Sequence, residues 1–182
     1  MELHYDENII LQQLRDESTK REAFTIVVHE FQTQLYWHIR HMVLNHDDTD
    51  DALQNTFIKA WTGIDNFRGD CKLSSWLFRI ASNEALNILE SRKRQFDPVA
   101  DNSYLSESLH SDPYFDGDET ATKLQQAIDS LPNKQKQVFC MRYYDEMKYE
   151  DMSEILGTSV GALKASYHHA AKKITDFFEG VN

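Results

Sequence analysis

Apolar residues recur at intervals of three and four along most of this 182-residue chain, and one long stretch interrupts the pattern. This spacing places side chains on one face of an α-helix. The clearest case is a stripe of six residues in the first quarter of the chain: Phe24, Val28, Phe31, Leu35, Ile39 and Met42. Only six Gly and three Pro are available for turns, too few for an all-β sandwich. The sequence therefore predicts an all-α fold.

The interruption covers residues 95–120 and has the composition of a linker. It contains seven acidic residues, four Ser, Pro98 and Pro113, and it has no Lys or Arg. A segment of this kind does not bury enough apolar surface to fold alone. We therefore divide the chain into a small helical domain over 1–94, a flexible acidic linker over 95–121 and a second small helical domain over 122–182.

Four helices are predicted in the first half. A short one covers residues 8–16, and the second opens at a capping box formed by Thr19 and Glu22. Ser74 is a suitable cap for the fourth, which extends to Arg94. The third carries an apolar stripe whose members are Leu53, Phe57, Ala60, Trp61 and Ile64.

Three helices are predicted in the second half, and the last two form a helix-turn-helix pattern. Pro132 suits the first turn of the first one. The stretch Tyr149–Leu156 makes a short helix that Gly157 ends in a left-handed cap, and Ser159 then caps a longer helix. An ordinary amphipathic helix with a solvated basic face is the alternative to DNA contact. Small and basic residues lie on the outward side of the longer helix, where they suit contact with duplex DNA: Gly161, Lys164, Ala165, His168, His169 and Lys172.

The net charge of −11 is unevenly distributed along the chain. Residues 1–58 and residues 97–120 each carry −7, residues 59–96 carry +3, and residues 121–182 are neutral. Affinity for the DNA backbone depends on local cationic charge, so this chain is expected to bind bare DNA weakly. If it acts on DNA, a partner must supply much of the affinity.

The positive segment combines aromatic and basic residues. Phe67, Trp76 and Phe78 lie near Arg68 and Lys72, a combination typical of surfaces that bind single-stranded DNA. In the alternative interpretation the rings belong to the core, and the basic residues that end the helix complement its dipole.

Several motifs occur together in the order known from one family of transcription factors. They are Asp51-Ala-Leu-Gln54-Asn55-Thr-Phe57, Phe67-Arg68-Gly69, Trp76-Leu-Phe-Arg79-Ile-Ala-Ser-Asn83, Leu131-Pro132 and residues 156–170. Over residues 8–94 and 122–178 the chain resembles regions 2 and 4 of the extracytoplasmic-function sigma factors of the sigma-70 family. Any one motif is weak, whereas several in register are a strong signal.

The resemblance implies a factor that directs core RNA polymerase to specific promoters and helps to melt them. The residues implied in binding the β′ clamp coiled coil of the polymerase are Asp51, Gln54, Asn55 and Phe57. Those implied in binding the downstream promoter element are Phe67, Arg68, Asp70, Lys72, Arg79, Asn83 and Lys93. Those implied in reading the upstream element are Ser159, Gly161, Lys164, Ala165, His168, His169 and Lys172. The other implied partners are the β flap of the polymerase and an anti-sigma factor.

Two features depart from the family pattern. Asn55 stands where relatives often have an acidic residue. The helix that follows Ser159 has no Arg, whereas relatives commonly carry one or more there, so Lys and His residues are left to make its DNA contacts.

Other classes of function stay open at this level. A stand-alone helix-turn-helix regulator would bind duplex operators unaided, and a helical interaction protein would have no DNA role. His38 and His41 lie one helical turn apart, and His46, Asp47 and Asp48 follow, but local spacing fixes no third metal ligand. Because no catalytic motif is visible, we expect no enzymatic activity, no metal and no cofactor.

The sequence also carries signals of location. The N-terminus lacks the basic start and apolar core of a secretory signal, and no stretch approaches the roughly 18 apolar residues of a membrane span. Cys71 and Cys140 are far apart, which favours reduced thiols over a disulfide framework. We therefore expect a cytoplasmic protein without membrane insertion.

Overall fold

A computed structural model describes residues 5–95 and 118–180, apart from the side chain of residue 95. These ranges contain α-helices and no strand, which confirms the all-α prediction. The first half consists of α1 (Glu7–Leu14), α2 (Lys20–Val43), α3 (His46–Gly63), a 3-10 turn (Ile64–Asn66) and α4 (Leu73–Gln95). The second half consists of α5 (Glu119–Asp129), α6 (Asn133–Tyr143), α7 (Tyr149–Leu156) and α8 (Val160–Glu179).

Each half has its own apolar centre. In the first half α2, α3 and α4 pack against one another, and α1 lies on α2. In the second half α8 packs against α5, α6 and α7. The largest fully buried side chains of the two centres include Leu35, Ile39, Leu73, Leu77, Ile128, Met141, Met152 and Leu163. Fully burying one such side chain stabilises the fold by about 1.5–3 kcal/mol.

Two predicted helix caps are wrong. The Thr19 hydroxyl donates to the carbonyl of Gln13 at 2.8 Å and makes no cap bond to α2. Helix α4 begins at Leu73, one residue before the predicted cap Ser74. The Leu73 N–H donates instead to the Glu7 carboxylate of α1 at 2.9 Å. A helix N-terminus needs an acceptor for its free N–H groups, and here a distant helix supplies it.

The helix-turn-helix prediction is confirmed in detail. Helix α7 covers Tyr149–Leu156, and Gly157 ends it in the left-handed region with a φ of 64°. The Ser159 side chain accepts a hydrogen bond from the Ala162 N–H at 3.3 Å, which caps α8.

Helix α5 was missing from the sequence prediction. Asp118 is its N-cap and accepts a hydrogen bond from the Thr120 N–H at 3.2 Å. Residues 119–121 are therefore helical, although the sequence assigned them to the linker. Gln95, which the sequence also assigned to the linker, is the last residue of α4. Residues 96–117 of the predicted linker lie outside the described residues.

The place of Trp61 in an apolar stripe predicted that it belongs to the core, and this prediction is wrong. Its side chain is 39% exposed, with the Lys20 ammonium 5.1 Å from the ring centroid and the Phe24 ring at 5.0 Å. Short side chains allow α3 to lie close to its neighbours, which leaves the large Trp61 ring at the edge of the core. The buried residues of α3 are Thr49, Ala52, Thr56 and Ala60.

Candidate nucleic-acid and partner interfaces

The outward face of α3 presents three of the predicted partner-binding residues. Asp51, Gln54 and Asn55 are exposed, while Phe57 is half-buried, with its ring edge-to-face against Phe24 at 6.5 Å. Ile58, 54% exposed, lies seven residues after Asp51 and so on the same helical face. This face therefore combines polar groups with one apolar side chain, and Phe57 supports it from below.

Sequence reasoning did not select Ile58. The signal was available, because Ile58 is an apolar residue that falls outside the buried stripe of its helix. A single exposed aliphatic side chain is ordinary on a protein surface, so Ile58 adds to this face without identifying it as a contact by itself.

The loop between α3 and α4 presents basic and acidic side chains next to a pair of rings. Arg68, Asp70 and Lys72 are exposed. The Phe67 ring packs on Trp76 with centroids 5.1 Å apart, and both residues are half-buried. Phe67 is thus held beside the exposed charges by a packed ring.

Phe78 has a different role from the other two rings. It is buried, and its ring packs edge-to-face against His38 at 5.1 Å. Phe78 is therefore a core residue, as the alternative interpretation had it. On the outer side of α4, Arg79, Asn83 and Lys93 are exposed.

Helix α8 presents an uninterrupted exposed face. Its buried side is formed by Leu163, Ala170 and Ile174. The Lys164 ammonium lies 5.7 Å from the centroid of the Tyr149 ring on α7. All of the predicted upstream-element residues are exposed: Ser159, Gly161, Lys164, Ala165, His168, His169 and Lys172.

The two halves are in contact, with α2 and α4 against α6 and α7. Two predicted DNA-contacting residues take part. The Arg79 guanidinium donates to the carbonyl oxygens of Glu154 at 2.6 Å and Ile155 at 2.9 Å, in the last turn of α7. The Lys72 ammonium lies 3.8 Å from the Asp151 carboxylate. Sequence reasoning predicted none of these contacts, because the partners are more than 70 residues apart.

A buried row of hydrogen-bonded polar side chains lies beside this contact. The His38 Nδ1 atom is 2.6 Å from the Asp145 carboxylate, and the His38 Nε2 atom is 2.8 Å from the Ser82 hydroxyl. The order Ser–His–Asp is that of a hydrolase triad. Ser82 and His38 are 1% and 0% exposed, so no substrate reaches the hydroxyl in this arrangement. We interpret these three hydrogen-bonded side chains as a structural link between the halves. The expected lack of enzymatic activity stays a prediction.

The remaining candidates from the sequence have ordinary structural roles. His46 faces the Tyr36 hydroxyl at 2.8 Å rather than the other two histidines considered for a metal. Within residues 5–95 and 118–180 no three His, Cys, Asp or Glu side chains are grouped to hold a metal.

Burial raises the pKa of the Cys71 thiol above its ordinary value and that of Cys140 to about 12. Both thiols are therefore poor nucleophiles at neutral pH. No helix in the described ranges has the length and apolar character to cross a bilayer.

Comparison with known proteins assigns a family to this arrangement. The family model of sigma-70 region 2 matches residues 27–95, and that of sigma-70 region 4 matches residues 121–174. The chain is 30% identical over 166 residues to the ECF RNA polymerase sigma factor SigW of Bacillus subtilis, covering 85% of this chain and 88% of the relative. The chain belongs to the extracytoplasmic-function sigma factors. It is an RNA polymerase sigma factor, which confirms the resemblance seen in the sequence.

Two further comparisons give similar matches. It is 29% identical over 164 residues to the RNA polymerase sigma-H factor of Pseudomonas aeruginosa, covering 85% of each chain. A solved structure of CnrH in complex with the cytosolic domain of CnrY matches with a TM-score of 0.72 at 21% identity, over 97% of this chain and 99% of that chain. The alternative of a stand-alone helix-turn-helix regulator is therefore rejected, because such a regulator does not contain sigma-70 region 2.

Proposed function

We propose that this sigma factor directs core RNA polymerase to promoters through three separate surfaces. The exposed face of α3 binds the β′ clamp coiled coil, with Asp51, Gln54 and Asn55 in contact and Phe57 beneath them. The loop from Phe67 to Lys72 and the outer side of α4 bind the downstream promoter element. Helix α8 reads the upstream element in the major groove, while the second half also contacts the β flap.

The exposed face of α8 is the observation that carries this proposal. Seven residues selected from the sequence for DNA contact are all exposed on and just before one helix. Small residues at its start, Gly161 and Ala165, allow close approach to the groove, and the Lys and His side chains reach phosphates and base edges. None of these seven residues is buried, so the face is open to duplex DNA.

Charge supports a mechanism that depends on the polymerase. Residues 59–96 carry only +3 in a chain of net charge −11, too little cationic charge for tight binding to bare DNA. Polymerase therefore supplies most of the affinity, and the sigma factor supplies the selection. Promoter opening needs no ATP in this scheme, since binding of unstacked bases near Phe67 and Asn83 stabilises the melted state.

A regulator and a location follow from the same proposal. The related CnrH has been solved with the cytosolic domain of CnrY, and a second similar structure holds the sigma factor RpoE with the anti-sigma factor NepR. We infer that an anti-sigma factor also binds this chain. The sigma factor acts in the cytoplasm, because core polymerase and the genome are there.

Reconstituted transcription tests the proposal. Core polymerase with this protein should initiate on promoters that core polymerase alone ignores. The double substitution Gln54→Ala with Asn55→Ala should weaken binding to core polymerase by roughly ten-fold, which corresponds to about 0.7 kcal/mol lost at each of the two contact residues.

The matched control for that double substitution is Gln12→Ala. Gln12 is an exposed residue of α1, outside the three surfaces. Gln12→Ala should bind core polymerase like the wild type, and circular dichroism should show unchanged helix content in every variant. Failure of the wild-type protein to bind core polymerase, together with tight unaided binding to duplex DNA, would overturn the proposed function.

A further inference from the structure

Asp145, in the turn between α6 and α7, is held by side chains from the other half of the molecule. Its Oδ2 atom lies 2.6 Å from the Nδ1 atom of His38 on α2, and its Oδ1 atom lies 3.8 Å from the Nδ1 atom of His41. The Asp145 side chain is 11% exposed and that of His38 is fully buried. The hydrogen bond from His38 to Ser82 connects the pair to α4.

This carboxylate has no equivalent partner within its own half. Among the described residues, its ion pairs join it to His38 and His41 alone, and both lie in the other half. Burial acts to raise the pKa of Asp145, but hydrogen bonding and attraction from the two imidazoles prevail and hold that pKa below its ordinary value. Asp145 is therefore charged at neutral pH while the halves are together, and separating them removes both partners.

A second contact uses the free end of α7. The last carbonyl groups of a helix have no partner within it and form the negative end of its dipole. The Arg79 guanidinium from α4 donates to two of these carbonyl groups, at Glu154 and Ile155. The Ser75 hydroxyl adds a hydrogen bond to the Glu154 carboxylate at 2.8 Å.

Packing between the halves supports these polar contacts. The His41 ring stacks on Tyr144 of α6 with centroids 4.1 Å apart. The Cys140 thiol lies 3.7 Å from the carbonyl oxygen of His41 and is fully buried. Cys140 is thus covered in part by the first half, which makes it a native reporter of contact between the halves.

We propose that the contacts of Asp145 with His38 and of Arg79 with the end of α7 form an autoinhibitory clasp between the two halves. In the clasped state Arg79 and Lys72 are bound to α7, so they do not contact the downstream promoter element. Core polymerase and promoter DNA release the clasp by binding surfaces on the two halves at separate positions. The inhibitory consequence rests on the proposed function, whereas the clasp itself is a property of the free protein.

The test of the clasp uses the free, full-length protein. Asp145→Ala removes the carboxylate and leaves the buried His38 without its partner, which disfavours the closed arrangement. In a Cys71→Ser background, thiol labelling of Cys140 should become about ten-fold faster, and small-angle X-ray scattering should give a larger radius of gyration. Asp50→Ala is the matched control, because Asp50 lies 3.3 Å from His46 within one helix. It should behave like the wild type in both measurements.

A second variant protects the test against misfolding. Arg79 has an exposed side chain, so Arg79→Gln should fold normally and should also speed labelling of Cys140. Circular dichroism should show unchanged helix content in both variants. If Asp145→Ala and Arg79→Gln both have the radius of gyration and the Cys140 labelling rate of the wild type, the clasp is overturned.

The functional consequence has its own readout. With limiting sigma factor, Asp145→Ala should reach half-maximal initiation in reconstituted transcription at a several-fold lower concentration than the wild type. An opened Asp145→Ala protein with an unchanged concentration dependence would contradict the inhibitory role. Wild-type protein that supports no transcription would contradict the proposed function instead, and the scattering result on the clasp would stand.

Discussion

Tyr149, the first residue of α7, has two cations near its ring. The guanidinium carbon of Arg142 lies 5.3 Å from the ring centroid, and the Lys164 ammonium lies 5.7 Å from it. Arg142 is itself held by a hydrogen bond to the carbonyl of Met147 at 2.9 Å. The face of an aromatic ring attracts cations, so Tyr149 limits the directions in which the Lys164 side chain extends from α8. At the scale of the residue, Tyr149 is therefore a positioning residue for a proposed DNA contact.

We expect Tyr149→Leu to weaken promoter binding by the holoenzyme by two- to five-fold, because a cation–π contact at an exposed site contributes about 0.5–1 kcal/mol. Tyr149→Phe keeps the ring and should bind like the wild type. Promoter affinity should be measured in the wild-type and Lys164→Ala backgrounds. The loss should disappear where Lys164 is absent, and an equal loss in both backgrounds would show that the ring acts only on the fold.

At the scale of the element, helix α7 depends on the backbone of Gly157. This residue has a φ of 64°, and its N–H donates to the carbonyl of Ser153 at 2.9 Å. A Cβ at Gly157 or at Gly161 would meet no atom within 4 Å, so only the backbone distinguishes the two positions. We expect Gly157→Ala to lower the free energy of unfolding by about 1 kcal/mol, since non-glycine residues are strained in the left-handed region.

Gly161→Ala is the matched control for that prediction. Gly161 lies in the first turn of α8, where Ala is the better helix former, so its substitution should leave the free energy of unfolding unchanged or slightly raised. Chemical denaturation of the full chain measures both variants. Equal destabilisation by the two would show that the left-handed cap is not what the glycine provides.

The elements differ in how far local sequence determined them. Helix α7 was predictable to the residue, because a capping glycine and a capping serine mark the turn. Helix α5 was not, since acidic residues at its start merge with the acidic stretch before it. The first N–H of α4 donates to Glu7, which is 66 residues away in the sequence. The hydrogen bond from Arg79 to the Ile155 carbonyl joins residues 76 positions apart. No local pattern reports such contacts, so the exposed faces were predictable and the contact between the halves was not.

At the scale of the whole molecule, charge and closure act in the same direction. The net charge of −11 limits binding to bare DNA, and the contact between the halves occupies Arg79 and Lys72, two of the basic residues in the positive segment. Under the proposed function, both features weaken binding of the free protein to DNA. Polymerase would then supply the missing affinity and separate the halves, which would couple DNA binding to assembly of the holoenzyme.

The pH dependence of closure tests this coupling. Asp145 has a depressed pKa in the closed state, so it stabilises closure fully above its ordinary value of about 4 and loses that effect as the pH falls through the depressed value. The titratable groups around it are His38, His41, Tyr144 and Cys140. Between pH 7 and 5, scattering should give wild type a smaller radius of gyration than Asp145→Ala, and the difference should shrink once the pH falls below about 4, toward the depressed value. No difference between pH 7 and 5, or a difference that grows below about pH 4 with helix content retained, would show that the Asp145 charge does not hold the halves together.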